Sequence, residues 1–173
     1  MRIFQGNAKN LEMLEDNTYD ITLLLGPMYH LFTVEEQKQA LSEAIRVTKK
    51  GGVIFAAYCM IDASVLCYGF ARGELQSLIR DNRIDLTDFT QIPHELDFFH
   101  LCRREEIDAL RSGLGVTQLH FAAAEGYAKH MEAALSEMDG QTYELFLRYH
   151  LATCERPDMV GISHHTIDIF RKD

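Results

Sequence analysis

The feature that most constrains this chain is a short run of apolar and β-branched residues at 21–25, followed by a capped amphipathic helix and a second apolar run at 53–58. The first run, ITLLL, follows the turn-like EDNTYD and stops at Gly26-Pro27. A run of this kind without alternation predicts a strand buried on both faces of a parallel sheet. Next, Thr33-Val34-Glu35-Glu36 has the capping-box form, in which a Thr hydroxyl and a Glu carboxylate satisfy the first backbone N–H groups of a helix. Leu41, Ala44, Ile45 and Thr48 recur at helical spacing on one face, and Lys49, Lys50 and Gly51 supply cations and a flexible stop. Residues 53–58, VIFAAY, then read as a second continuous strand. A helix between two parallel strands has to cross over the sheet, so the chain is expected to be α/β.

With 173 residues, 47% hydrophobic and 25% charged, the chain is long enough for one ordinary domain, taken here as 1–173. A formal net charge of −9 argues against nucleic acid as a partner, because such binding draws on Lys and Arg displacing counterions from phosphates. The longest apolar run, around residues 52–60, is far short of the roughly 20 residues needed to span a bilayer. The first ten residues lack the apolar stretch and cleavage site of a signal peptide, so no membrane association and a cytoplasmic location are expected. Cys59, Cys67, Cys102 and Cys154 are scattered without a C-x-x-C pair, which predicts free thiols. Adjacent His164 and His165 would point to opposite faces of a strand, so no metal site is expected.

Downstream, residues 62–80 are compatible with helix, with Leu75, Leu78 and Ile79 on one side, although Gly69 and Gly73 weaken it. Residues 83–99 show no period but carry Phe89, Ile92, Leu96, Phe98 and Phe99, too many large side chains for a disordered linker. A lid-like insertion over about 61–100 is the expectation. Residues 103–111 read as a helix with Ile107 and Leu110 inward, and 116–122 as a strand. Tyr127, His130, Met131, Ala134, Leu135 and Met138 keep a helical period, and a second helix from about 142 to 155 would complete a hairpin over about 127–156. Residues 166–170, TIDIF, alternate like a strand partly exposed on one face.

Open parallel sheets bind ligands beyond the carboxyl ends of their strands, which directs attention to Gly26-Pro27-Met28-Tyr29-His30-Leu31. Spacing alone favours a turn whose Tyr and His pack on the next helix. The stretch DNTYDITLLLGPMYHLF, then a helix and IRVTKKGGVIFAAY, resembles the fourth- and fifth-strand motifs of class I S-adenosylmethionine-dependent methyltransferases. The likeness continues through REEIDALRSGLGVTQLHFAAAEG and YELFLRYHLATCERPDMVGISHHTIDIF, which resemble the sixth strand and the end of bacterial small-molecule members. The resemblance implies a partial Rossmann-like sheet with strand order 4-5-7-6. Methyl transfer from S-adenosylmethionine to a small molecule is the implied activity, with a non-catalytic dimerising or partner-binding module as the alternative. It places Asn7 and Ala8 at the turn that holds the adenine, Leu25, Gly26 and His30 at the methionine and methyl group, and Tyr29 toward the substrate. No catalytic base is implied; His30 and Tyr29 are as well explained as pocket wall.

The family's first two strand-helix units, with their G-x-G-x-G loop, are missing from these 173 residues. Gly113-Leu114-Gly115 does not replace that loop, because it follows a helix and precedes a strand. The chain is therefore expected to behave as a truncated domain that holds the cofactor weakly or not at all and is inactive by itself. Residues 21–25 would form an open sheet edge, predicting a homodimer through that edge or an unusual placement of the residues from Met1 to Phe4.

Overall fold

The structure, a computed structural model, describes residues 3–95 and 97–173. Met1 and Arg2, expected near the sheet edge, and Leu96 of the expected lid lie outside the described residues. Strand β1 (Tyr19–Leu24) leads through a 3₁₀ turn (Pro27–His30) into helix α1 (Val34–Val47), and β2 (Thr48–Met60) follows directly. Helix α2 (Ile61–Ser64) runs on as a π-helical stretch (Val65–Ala71), then come α3 (Leu75–Arg80), β3 (Leu101–Cys102), α4 (Arg104–Arg111) and β4 (Val116–Ala123). A 3₁₀ turn (Ala128–Met131), α5 (Glu132–Ser136), α6 (Gly140–Thr153), α7 (Pro157–Val160) and β5 (His165–Lys172) complete the chain.

The sheet runs β1-β2-β5-β4, with β3 pairing β2 beyond the end of β1. This is the predicted 4-5-7-6 order: β1 and β2 are parallel, and β5 is antiparallel to both β2 and β4. Thr33 caps α1 by accepting the Glu36 N–H at 3.2 Å. The Glu36 carboxylate takes Lys9 at 2.6 Å, so the N-terminal segment is tied to the start of α1. Further along the helix Glu43 accepts the Leu11 N–H at 2.6 Å, and Arg46 reaches the carbonyls of Leu11 and Leu14. Residues 3–6 form no strand, and Ile3 and Phe4 are exposed. No strand among the described residues pairs with them, and a lone strand leaves its backbone hydrogen bonds to water.

Helices α1 and α4 cover one face of the sheet. Ala40, Leu41, Ala44, Ile107 and Leu110 pack there on Leu24, Ile54, Ala56, Phe121 and Phe170. The opposite face is apolar and open. Cross-strand pairing lines up Ile21 with Val53, Leu23 with Phe55 and Ile169, and Ala57 with Ile167. Ile21 and Leu23 are 59% and 61% exposed, and Val53, Phe55, Ile167 and Ile169 are half-buried. The strand expected to be buried on both faces is thus an edge strand covered on one, because its continuous apolar pattern does not reveal whether anything covers the second face.

β5 alternates as expected and is partly exposed on one face. It is an inner strand, and its buried side is Thr166, Asp168 and Phe170, with Ile167 and Ile169 on the open face. Asp168 is fully buried and is satisfied by an ion pair with Arg111 and by the Gln118 amide, which donates at 2.9 Å. Burial pushes its carboxyl above the ordinary range, only partly offset by Gln118 and Arg111.

In the expected lid, Ile61, Val65 and Ile84 form a second small core with Leu75, Leu78, Phe89 and Leu101 around it. Asp97, its side chain buried, orders the loop by pairing with Arg83 and accepting the His94 N–H and the Gln91 amide at 2.9 and 3.1 Å. The expected hairpin is less regular than its period predicts. Its first arm is divided into the 3₁₀ turn and the short α5, and neither these nor α6 buries a side chain fully.

Candidate functional site

The carboxyl ends of β1 and β2, the start of the antiparallel β5 and the end of β4 all lie at one end of the sheet, because β5 and β4 alternate in direction. The turn after β1 is built by Gly26, whose φ of +148° is open to glycine and strained for other residues. The 3₁₀ turn that follows is held from beneath. Gln37, buried in α1, donates its amide to the carbonyls of Met28 at 3.1 Å and Leu31 at 2.9 Å, with His100 Nδ1 also at 3.1 Å. An amide nitrogen has two hydrogens, so these three partners share them. From the other side the His100 N–H donates to the Tyr29 carbonyl at 2.8 Å, and His30 Nδ1 donates to the Phe98 carbonyl at 3.0 Å.

These bonds assemble a group of rings. Tyr29 lies 5.0 Å from His30 and 5.6 Å, edge-on, from Phe99, and His30 lies 5.3 Å from Phe99, measured between ring centres. His165, at the start of β5, joins edge-on at 6.3 Å from Tyr29. Its Nδ1 donates to Glu125 Oε1 at 2.8 Å, and its backbone N–H donates to the same oxygen at 3.1 Å. The Ser163 hydroxyl lies 3.1 Å from Glu125 Oε2. Cys59, the cross-strand partner of His165, and Glu125 together raise the His165 imidazole to about 10, so it carries its proton at neutral pH. Burial works to raise Glu125, but His165 and Ser163 hold it below the usual carboxylate range. The site is thus an aromatic shelf with a charged pair at its edge.

Of the residues singled out in the sequence, the structure gathers Tyr29 and His30 into this group and places Leu25 and Gly26 at its foot, with Leu25 half exposed. Asn7 and Ala8 sit in a tight turn tied to α1. The Asn7 carboxamide oxygen accepts the Lys9 N–H at 3.0 Å, and Ala8 packs against the core. Phe99, Glu125 and His165 were not among the candidate site residues. The one signal that could have pointed to them is an acidic residue directly after a strand, at Ala124-Glu125-Gly126, facing a histidine that opens another. His164 lies in the bend just before β5 and not in the strand, and it is buried between the rings of Tyr68 and His130, each 5.4 Å away. Neither of its ring nitrogens has a hydrogen-bond partner among the described residues, and burial, with His130 beside it, lowers its pKa.

The sequence of residues 1–56 matches the family described as methyltransferase domain. A comparison with curated proteins returns no match. Among solved structures, a SAM-dependent methyltransferase from Methanosarcina mazei superposes with a TM-score of 0.55 at 13% identity, over 96% of this chain and 65% of that one. This is the fold of a class I S-adenosylmethionine-dependent methyltransferase. A SAM-dependent methyltransferase from Thermotoga maritima, described as a possible histamine N-methyltransferase, gives a TM-score of 0.53 at 17% identity, over 98% of this chain and 63% of that one. Magnesium protoporphyrin IX methyltransferase from Synechocystis, with S-adenosylhomocysteine bound, gives 0.50 at 8% identity over 97% of this chain and 49% of that one. The methyltransferase fold is therefore matched along nearly all of this chain, while the chain spans less than two-thirds of these structures' own lengths.

Proposed function

We propose that the chain supplies the substrate side of an S-adenosylmethionine-dependent methyl transfer to a small molecule. The observation that carries this reading is the convergence of Gly26, Tyr29, His30 and Phe99 at the carboxyl end of β1 and β2, in a sheet of the methyltransferase strand order. When bound, the cofactor supplies an electrophilic methyl on a sulfonium. The protein's share is to hold a nucleophile in line with that methyl, so positioning accounts for most of the rate gain. Leu25, Gly26 and His30 would line the methionine end, Asn7 and Ala8 the adenine end, and Tyr29 the acceptor.

These residues amount to a few hydrogen bonds of about 1 kcal/mol each, and the 173 residues hold no strand-loop-helix of the G-x-G-x-G kind. The chain alone is expected to bind S-adenosylhomocysteine no more tightly than about millimolar, with no measurable turnover. Calorimetric titration checks the strength, and micromolar binding would overturn the account of weak affinity. Amide shifts at millimolar ligand check the place: they are expected at residues 25–30, and their absence there would remove the cofactor assignment.

A second reading, a dimerising or partner-binding module, is favoured by the bare edge of β1. Its outward backbone groups, paired with no strand among the described residues, and the exposed Ile21 and Leu23 form a template for another strand. A second copy is the proposed occupant, because an antiparallel strand pair about a two-fold axis is its own complement and brings the two apolar stripes side by side. Light scattering should then give twice 19.8 kDa for the wild-type chain. Leu23→Lys, at a site exposed enough to leave the fold intact, should give the monomer mass. Equal masses for the two would overturn edge pairing.

A further inference from the structure

The shelf beyond β1 and β2 combines two features that the methyl-transfer reading leaves unassigned. One is its rings. Phe98 is 81% exposed and Phe99 47%, although the Phe98 carbonyl and the His100 N–H, on either side of Phe99, are hydrogen-bonded to the Tyr29–His30 turn. Large aromatic side chains held in place and left in water offer a flat apolar surface to a ligand. The other is the charged pair. Glu125 is committed on both oxygens, taking the His165 ring N–H and backbone N–H on one and lying against the Ser163 hydroxyl on the other. His165 Nδ1 is committed to Glu125, the Cys59 side chain lies within hydrogen-bonding reach of the ring, and the His165 side chain is about half exposed, so its Nε2 edge is open to a ligand only on the side away from Cys59. The carboxylate therefore orients the imidazole and has little capacity left for a ligand. The imidazole presents the charged donor, and it does so against the edge of Tyr29.

We propose that this shelf binds a small planar aromatic molecule bearing an anionic oxygen, with the ring against Tyr29 and Phe99 and the oxygen on His165 Nε2. The inference rests on the methyl-transfer reading only in taking this ligand as the acceptor; the binding itself needs no cofactor. Glu125 is a positioning residue, fixing the tautomer and orientation of His165 as a carboxylate does for a histidine whose other nitrogen meets the ligand. A carboxylate and a phenolate share the required chemistry, and a charge-assisted hydrogen bond rewards either over a neutral hydroxyl.

The test uses four probes on the wild-type chain, followed by the His165 ring signals in NMR. Phenylacetate carries a ring and a carboxylate, 4-nitrophenolate a ring and a phenolate oxygen, benzyl alcohol a ring without charge, and acetate the charge without a ring. One or both of the first two are expected to bind about tenfold or more tightly than benzyl alcohol and acetate, and which of them does so identifies the oxygen. In His165→Gln, which keeps a donor but no charge and is followed by the amide signals of Tyr29 and Phe99, the preference for the anionic probe over benzyl alcohol should largely vanish while weak ring binding stays. Benzyl alcohol matching the anionic probes, acetate matching them, or no probe binding would each overturn the proposal. The wild-type series decides even if the variant fails to fold. Anionic preference without any response of residues 25–30 to S-adenosylhomocysteine would leave this site standing and remove the methyl-transfer reading; the reverse result would remove only this inference.

Discussion

Arg111→Ala is expected to lower the stability of the domain by about 3–5 kcal/mol, read as a shift of the urea unfolding midpoint. The size follows from what is left behind. Asp168 lies at the centre of β5, fully buried between β2 and β4, and among the described residues its charge is matched by Arg111, with Gln118 adding one hydrogen bond. Removing the guanidinium strands a carboxylate that burial already disfavours. The sign with pH follows. Burial raises the Asp168 pKa and Arg111 lowers it, so the variant's value rises further, and the loss of stability should shrink as pH falls and the carboxyl takes up a proton. Replacing both partners by apolar residues, Arg111→Met with Asp168→Leu, should recover much of the loss, because no unpaired charge remains. A single variant within about 1 kcal/mol of wild type would mean that Asp168 is already neutral in the native state.

Gln37→Leu is the second large effect, and it reaches the site. The substitution keeps the bulk of the side chain but leaves the carbonyls of Met28 and Leu31 without their donor, at about 1–3 kcal/mol for each buried carbonyl left unsatisfied. These carbonyls bracket Tyr29 and His30, and the same amide is within reach of His100, whose own N–H holds the Tyr29 carbonyl. The loss should therefore be local as well as global. Thermal unfolding measures the first, and amide hydrogen exchange the second: residues 28–31 should exchange faster than α1 in the variant. Exchange unchanged in that turn, with the midpoint unmoved, would show that water takes the place of the amide.

Both effects depend on side chains whose roles are not visible in the sequence. Gln37 stands in a helix pattern as an ordinary polar residue, and its burial follows only from the turn folding back over α1. Asp168 reads as the polar member of an alternating strand, yet it faces the covered side with Thr166 and Phe170, while the apolar Ile167 and Ile169 face the open one. Alternation reveals that a strand has two different faces. It does not reveal which face the helices cover when an ion pair can satisfy the charge inside.

What the sequence determined by itself is the part of the fold governed by local patterns. The Thr33 cap, the face of α1 up to Ile45, the apolar runs of β1 and β2 and the helix-strand unit of α4 and β4 match their predicted places, because hydrogen bonding and burial within each element fix them, whereas Thr48 to Gly52, read as the end of the helix and its stop, already belong to β2. The order of the pieces also made the strand order legible through its resemblance to a known sheet, and Tyr29 and His30 stood out because strand ends are where such sheets bind. Tertiary structure alone decided the rest. The meeting of Phe99, Glu125 and His165 with Tyr29 joins residues from four distant parts of the chain through strand direction and pairing. The bare second face was decided in the same way, because an apolar residue carries no local sign of whether a partner covers it.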